Sequence, residues 1–218
     1  MSVNLRPEDI EAESFRIIDA EVGKHPWSTM EWPVVRRAIH TTADFDYART
    51  MVISPDAVAR GTDALASGRG IVTDTTMALA GINKKLLKRF SIEASCFVSD
   101  PDVAAKALRA GITRSIPAMR KGAADRGNGI FVIGNAPTAL FELLRLVREE
   151  GLQPDLVIGL PVGFVGAEAS KEQLIREARL SGIPFITNRG RKGGSNVAAA
   201  VVNALLLMAD MGNGEKKP

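Results

Sequence analysis

Apolar and polar residues follow one pattern up to about residue 69 and another pattern after it. In the first part, apolar residues recur at helical spacing. They do so over 7–23, where Pro7 and acidic residues begin the segment and Gly23 ends it. A second helix is predicted to begin near Trp32 and Pro33, since proline suits a first helical turn, and to run toward His40. Residues 1–69 are therefore predicted to be mainly helical.

From residue 70 to 209, short β-rich runs alternate with helical segments. Strands are predicted at 71–74, 92–99, 130–134, 156–160 and 185–188. Helices are predicted near 75–89, 101–126, 137–150, 170–181 and 195–209. This alternation predicts an α/β fold with a mostly parallel central sheet of about five strands, helices on both faces and an N-terminal helical segment before it. No linker interrupts the pattern, so we expect a single domain over 1–218, with a frayed tail at 210–218.

The longest apolar stretch, 197–209, is interrupted by Asn203 and is shorter than the ~18 residues of a membrane span. We therefore interpret it as a buried helix. The first residues lack the basic and apolar regions of a signal peptide, and the lone Cys96 excludes an intramolecular disulfide. A cytoplasmic protein without membrane contact is expected.

The net charge and the aromatic content of the chain limit the kinds of partner it is expected to bind. The chain has 28 Lys and Arg against 25 Asp and Glu, a formal net charge of +3, and 5% aromatic residues. This modest excess favours anionic ligands, but neither the charge nor the aromatic content suits a nucleic-acid surface. We expect no nucleic-acid partner.

The residues that follow the five predicted strands are rich in Gly, Pro, Asn, Asp, Thr and Ser. They read TDTTM, SDPD, GNAPTA, LPVGF and TNRGRKGGS. Parallel strands end at one edge of the sheet, where open α/β sheets bind ligands, and the next helices point free N–H groups there. The pattern predicts a site for a polar, anionic small molecule, although the fold does not name the molecule.

Common catalytic motifs are missing. The sequence has no G-x-G-x-x-G after the first strand, no G-x-S-x-G, and no His, Cys and carboxylate set with metal-ligand spacing, so neither a metal nor a nucleotide cofactor is predicted. The stretch GRKGGS lacks the order of a phosphate loop, because Lys192 precedes the paired glycines. It is compatible with a tight turn that enters a helix and with an anion-binding loop.

The chain has two histidines. His25 stands in a K-H-P turn and is interpreted as a structural or surface histidine. His40 lies between RRAI and TTADFDY, where basic, hydroxyl and acidic residues surround it in sequence. Histidine exchanges protons near neutral pH, so His40 is a candidate general acid. On spacing alone, a histidine that caps a helix end fits equally well.

These residues carry a family resemblance. The run RRAIHTTADF at 36–45 closely resembles the histidine motif of precorrin-8X methylmutases. Further segments are similar to that family's other motifs, in the same order: GNAPTAL at 134–140, GLPVGFVGA at 159–167, SKE at 170–172 and NRGRKGGSNVAAA at 188–200. The resemblance covers the chain from about Ala12 to Met208.

The resemblance implies an isomerase of cobalamin biosynthesis. Such an enzyme moves a methyl group from C-11 to C-12 of precorrin-8X or its cobalt-bearing form, which gives hydrogenobyrinate or cobyrinate. It implies no cofactor, a homodimer with the pocket near the subunit interface, and His40 as the catalytic acid. Protonation of a ring nitrogen would polarise the macrocycle, and a general acid contributes about 10²–10⁴-fold.

A corrin precursor carries several carboxylates, which arginine side chains and helix N-termini suit. The predicted substrate-binding residues are Ser14, Arg37, Thr41, Thr42, Thr73, Asp74, Thr75, Arg114, Arg189, Arg191, Lys192, Gly193, Gly194 and Ser195. Any single arginine among them could equally be a solvated surface charge. Two other functions stay open: a tetrapyrrole carrier without catalysis, and an unrelated α/β enzyme that binds a phosphorylated molecule at GRKGGS.

Overall fold

The computed structural model describes residues 6–214. The chain begins with two packed helices, α1 (Pro7–Val22) and α2 (Trp32–Thr42). Both have proline in the first turn, as predicted. Asp19 joins them, because its carboxylate accepts hydrogen bonds from the indole of Trp32 at 2.9 Å and from Arg36 at 2.8 Å.

A strand that the sequence analysis missed follows the two helices. After the short helix α3 (Tyr47–Thr50) comes β1 (Met51–Ile53), and then α4 (Ala57–Ala66). A run of three residues is too short to show an alternating pattern. The part predicted as mainly helical thus also supplies one strand of the sheet.

The remaining strands are β2 (Gly70–Thr73), β3 (Ala94–Ser95), β4 (Asn128–Ile133), β5 (Leu156–Gly159) and β6 (Phe185–Asn188). The strand order is β1-β6-β5-β4-β2-β3, and all neighbouring pairs are parallel except β1 with β6. The mostly parallel sheet is confirmed, with six strands in the described part of the chain instead of about five.

The helices of this part are α5 (Thr76–Gly81), α6 (Lys84–Arg89), α7 (Pro101–Ala110), α8 (Ser115–Ala124), α9 (Pro137–Glu150), α10 (Ala167–Ser181) and α11 (Ser195–Gly214). Two helices predicted as single are each divided. Asn83 interrupts the first, because its side chain caps α6 through the amides of Lys85 and Leu86. Gly111 ends α7 with a φ of 64°.

Helices cover both faces of the sheet, as predicted. On β4, Ile130 and Val132 belong to one buried cluster, while Phe131 and Ile133 belong to the other. Side chains that alternate between two buried faces are typical of a central parallel strand. The first cluster contains side chains of α2, α4 and α11, and the second contains side chains of α9 and α10.

Helix α11 is the predicted apolar helix, and it is buried against α2, α4 and α5. Its window Ser195–Gly212 is long and apolar enough for a membrane span by composition, but 56% of that window is buried inside the fold. The prediction of a buried helix over 197–209 is confirmed. The helix continues to Gly214, so the tail predicted at 210–218 begins inside it, and 215–218 lie outside the described residues.

Candidate active site at the carboxyl edge of the sheet

The chain reverses its direction across the sheet between β2 and β4, because β3 lies on one side of β2 and β4 on the other. Such a switch point is where open α/β sheets form their ligand crevice. Asp74 follows β2 here and is 1% exposed. Its carboxylate accepts hydrogen bonds from the main-chain N–H groups of Gly134 at 2.9 Å, Asn135 at 2.9 Å and Ala136 at 2.7 Å. The side chain therefore braces the two strand exits against each other.

Two opposed effects act on the pKa of Asp74. Burial raises the pKa of this carboxyl group, and the three N–H donors partly offset that rise because they favour the carboxylate. Its oxygens face the protein's own amides, so direct contact between Asp74 and a substrate stays a prediction.

Two hydroxyl residues that were predicted to bind substrate, Thr75 and Ser195, contact each other next to the strand exits that Asp74 connects. The hydroxyl oxygens of Thr75 and Ser195 are 2.7 Å apart, although 120 residues separate them in sequence. Thr75 also caps α5 by accepting from the amide of Ala78, and Thr73 donates to the carbonyl of Thr75 at 3.0 Å. A Cβ atom on Gly134 would lie 2.6 Å from the Cα of Ser195, so the start of α11 sits directly against the exit of β4. We call Thr73, Asp74, Thr75, Gly134 and Ser195 the switch crevice.

Residues 189–194, which read RGRKGG, form a loop before α11 that we call the glycine loop. It lies against the exit of β5, because the amide of Gly194 donates to the carbonyl of Leu160 at 2.9 Å and that of Gly163 donates to Arg191 at 3.2 Å. A Cβ atom on Gly193 would lie 2.3 Å from the Leu160 oxygen. Glycine is thus required where the two loops touch. The segment leads directly into α11, which is compatible with both interpretations of GRKGGS.

The cationic side chains of the glycine loop are largely exposed and have partners. Lys192 donates to the carboxylates of Asp44 at 2.5 Å and Asp46 at 2.7 Å. Arg189 pairs with Glu172 at 2.6 Å, and the guanidinium of Arg191 lies 5.5 Å from the ring centre of Phe164. Exposed ion pairs contribute little to stability, so a ligand carboxylate can replace these partners.

His40 lies in the last turn of α2 and is half-buried. Its ring packs edge-on against Phe15 of α1, with ring centres 5.2 Å apart and an interplanar angle of 68°. The guanidinium groups of Arg36 and Arg37 lie 4.3 and 4.7 Å from the centre of the same Phe15 ring. The last-turn position is compatible both with a general acid and with a helix-end histidine.

Two further predicted residues, Ser14 and Arg37, lie on the two helices that carry Phe15 and His40. Arg37 donates to Glu11 at 2.5 Å, and the hydroxyl of Ser14 donates to the Ile10 carbonyl at 2.8 Å within α1. The pKa of Glu11 is lowered mainly by its hydrogen bond to Arg37, with smaller contributions from His40 and Arg36. We call Ser14, Phe15, Arg37 and His40 the histidine face.

The turn after His40 connects the histidine face to the glycine loop. Ala43 ends α2 with a φ of 52°. The Thr42 hydroxyl shapes this turn, because it donates to the Ala38 carbonyl at 2.8 Å and accepts from the amide of Asp44 at 3.2 Å. Asp44 then accepts from Lys192. The turn that follows the predicted acid is therefore joined to the predicted cationic loop by an ion pair, and Thr41, next to His40 in sequence, is exposed.

Arg114, another predicted binding residue, lies apart from the histidine face. It is exposed immediately before α8, between Thr113 and Ser115. The hydroxyls of these two residues bond to that of Thr138 at the start of α9, at 2.9 and 2.7 Å. The structure thus groups Arg114 with α9 and not with the histidine face.

Sequence reasoning assigned no role to four residues that hold the site together: Lys171, Asn188, Asp44 and Asp46. Lys171 and Asn188 are both fully buried below the glycine loop. They stand inside the segments SKE and NRG that carry the family resemblance, and a lysine among buried apolar helix positions was the signal that could have found one of them. Within residues 6–214, no group of three or more His, Cys, Asp or Glu is placed to hold a metal ion.

The fold is that of a doubly wound α/β protein with polar residues at its switch point and a histidine in the last turn of α2. The sequence profile of the family described as precorrin-8X methylmutase matches residues 9–208. The chain belongs to this family, and the resemblance carried by the motifs is confirmed. A methylmutase moves a methyl group within one molecule, so the predicted isomerase class, in cobalamin biosynthesis, is confirmed as well.

Individual relatives of the chain carry the name of the same family. The chain is 47% identical over 210 residues to a cobalt-precorrin-8 methylmutase of Priestia megaterium, across 96% of this chain and 92% of the relative. It is 48% identical over 207 residues to a cobalt-precorrin-8 methylmutase of Salmonella typhimurium, across 92% and 95% of the two chains. A solved precorrin-8x methyl mutase structure from Thermus thermophilus superposes with a TM-score of 0.83 at 39% identity, across 94% of this chain and 98% of that one.

Proposed function

We propose that the protein moves the methyl group from C-11 to C-12 of the corrin precursor, with His40 as general acid. The observation that supports this proposal is that the turn directly after the helix of His40 is joined to the glycine loop, through the ion pair of Asp44 with Lys192. The proposed acid and the proposed cationic site for carboxylates thus belong to connected segments, and a macrocycle with acidic side chains needs both.

The chemistry requires little from the protein beyond a proton and orientation. His40 donates its proton to a ring nitrogen, which polarises the conjugated system next to the migration terminus. The bond from C-11 to the methyl group breaks as the bond to C-12 forms, and the proton returns to His40 because substrate and product are isomers. The proton contributes about 10²–10⁴-fold, and holding the ring in a reactive shape contributes the rest.

Substrate binding is proposed at two places. The glycine loop offers Arg189, Arg191, Lys192 and the main chain of Gly193 and Gly194, while the switch crevice offers hydroxyls and the N-terminus of α11. On the histidine face, Arg37 and Ser14 are proposed to bind the substrate near His40. Direct contacts from Thr41, Thr42, Thr73, Asp74, Thr75, Ser195 and Arg114 are part of the same proposal.

A cytoplasmic homodimer that completes the pocket is proposed as well. Its support is the exposed apolar loop after β5, where Phe164 and Val165 are 85% and 91% exposed beside Arg191. Exposed apolar side chains next to a site are typical of surfaces that bind a partner or a ligand. Sedimentation velocity of the purified chain tests the dimer, and a monomer at micromolar concentration would exclude it.

The cobalt-bearing substrate is favoured. The two relatives at 47% and 48% identity are both named for cobalt-precorrin-8. We propose that this chain takes the same form of the substrate and gives cobyrinate.

The absorbance spectrum of the macrocycle tests the function. The methyl shift changes the conjugation of the ring, so turnover changes its colour. Purified protein is mixed with precorrin-8X and, separately, with cobalt-precorrin-8, without added cofactor. Conversion of the cobalt form is expected to be faster. A spectrum that shows binding but no conversion of either compound would favour a tetrapyrrole carrier, and no binding at all would reject the proposal.

A further inference from the structure

Lys171, in the first turns of α10, has a fully buried side chain, with 0% exposure. Lysine is almost never fully buried unless its ammonium group is paired. Burying an ammonium also costs more free energy than burying an apolar side chain of the same length. The partners of Lys171 therefore indicate what this residue is for.

Both hydrogen-bond partners of Lys171 belong to the chain segment 188–192. Its Nζ donates to the main-chain oxygen of Lys192 at 2.7 Å and to the Oδ1 atom of Asn188 at 3.2 Å. Asn188 is also 0% exposed, and its Nδ2 donates to the same Lys192 oxygen at 2.9 Å and to the Arg189 carbonyl at 3.1 Å. Two buried side chains thus hold the main chain of the glycine loop from below.

Charge strengthens this attachment. Burial lowers the pKa of Lys171 to about 8, and the carboxylates of Glu168 and Glu172 on the same helix oppose that shift. A pKa of about 8 leaves the ammonium as the main form at neutral pH, and a charged donor makes a stronger hydrogen bond to a carbonyl than a neutral one.

Contacts made by the other parts of the loop are more exposed. The ion pairs of Lys192 with Asp44 and Asp46, and of Arg189 with Glu172, join exposed or half-buried side chains. Such pairs do not fix a loop firmly. Water weakens the buried attachment through Lys171, like the main-chain bond of Gly194 to Leu160, less than it weakens these ion pairs.

We propose that Lys171 is a positioning residue for substrate binding: it holds segment 188–192 in the shape that presents Arg189, Arg191 and Lys192 to the carboxylates of the substrate. The identity of that substrate rests on the proposed function, whereas the hold of Lys171 on the loop does not. An apolar residue in place of Lys171 would fill the same space without holding the loop.

Hydrogen exchange tests the hold on the loop without any substrate. Lys171→Met keeps the length of the side chain and removes its donors. We expect the amides of Arg189 and Gly194, which donate to Thr50 and Leu160, to exchange roughly 10-fold faster. The matched control is Leu174→Met, a buried residue of the same helix with no hydrogen bond to the loop. Unchanged loop exchange in Lys171→Met would overturn the proposal.

Steady-state kinetics with cobalt-precorrin-8 test the consequence for binding. Lys171→Met is expected to raise KM roughly 10-fold while kcat stays within about 3-fold, because carboxylate contacts bind substrate and transition state alike. A fall in kcat with unchanged KM would overturn the positioning role. If Lys171→Met does not fold, Asn188→Ala removes a donor from the same Lys192 carbonyl, and it should raise KM in the same direction by a smaller factor.

The two proposals fail in different ways. If the wild-type protein converts neither precorrin-8X nor cobalt-precorrin-8, the proposed function is wrong, and the exchange experiment alone decides the role of Lys171. If the wild-type protein converts its substrate while Lys171→Met matches it in KM and loop exchange, only the inference on Lys171 is wrong.

Discussion

The switch crevice and the histidine face are built in different ways. The crevice is held by buried hydrogen bonds between groups far apart in sequence, such as the three amides on Asp74 and the contact of Thr75 with Ser195. The histidine face is held by the ring of Phe15 and by ion pairs with one exposed partner, such as Arg37 with Glu11. Under the proposed function, residues held by such bonds suit the orientation of a large ring, and a more open face suits a group that gives and takes back a proton.

This difference predicts that substitutions in the two regions affect different quantities. Changes on the histidine face should lower kcat and leave stability and product binding nearly intact. Changes in the crevice and the glycine loop should lower stability or affinity first.

The largest effect is expected at His40. His40→Ala should lower kcat about 10²–10⁴-fold, because it removes the proposed proton donor, while product affinity changes by less than about 3-fold. Stopped-flow absorbance with cobalt-precorrin-8 and titration with cobyrinate measure the two quantities. His25→Ala is the matched control, since it removes the other histidine, which stacks on Trp32 at 4.0 Å. A His40→Ala variant that turns over as fast as His25→Ala would leave orientation alone to explain catalysis.

A substitution at Asp74 tests whether its hydrogen bonds hold the switch crevice together. Asp74→Ala leaves three main-chain N–H groups without their acceptor, and this should lower the free energy of unfolding by about 3 kcal/mol. Urea unfolding measures it. Asp63→Ala, at an exposed position of α4, should change stability by less than about 0.5 kcal/mol. Equal stability of the two variants would mean that Asp74 does not brace the strand exits.

Gly193 tests whether the shape of the glycine loop determines affinity. Gly193→Ala would place a Cβ atom 2.3 Å from the carbonyl oxygen of Leu160, so the loop must move. A roughly 10-fold loss of cobyrinate affinity is expected, because small displacements of binding groups are costly. Gly212→Ala in α11, where a Cβ atom meets nothing within 4 Å, is the control. Unchanged affinity in Gly193→Ala would place the carboxylate site away from this loop.

Sequence reasoning found the components of this site but not their contacts. The polar strand exits and the short apolar runs predicted a parallel sheet with a ligand edge, since both signals are local. Strand β1 was missed because a run of three residues is too short to show an alternating pattern. Its position depends on antiparallel pairing with β6, in which Met51 lies opposite Asn188. The bond of Lys192 to Asp44 joins residues 148 positions apart, so only the folded chain shows it. Lys171 is a polar residue in an apolar environment, and its role depends on a carbonyl that no sequence pattern specifies.

The smallest effect is expected at Lys192, where the glycine loop meets the turn after His40. Lys192→Met removes an exposed side chain that lowers the pKa of Asp46, mainly through its hydrogen bond, with Arg49 as the second cause. The pKa of Asp46 should therefore rise toward its ordinary value and stay below it because Arg49 remains. An aspartate whose pKa is lowered by folding stabilises the protein at pH values above its ordinary pKa, and this stabilisation is lost as the pH falls through the lowered pKa. The variant should therefore lose less stability on acidification than the wild-type protein. An NMR titration of the aspartate side chains measures the shift, with Lys85→Met, an exposed lysine of α6, as control. Faster exchange of the Gly194 amide in Lys192→Met than in Lys171→Met would contradict the view that the buried attachment, and not the exposed ion pair, holds the loop.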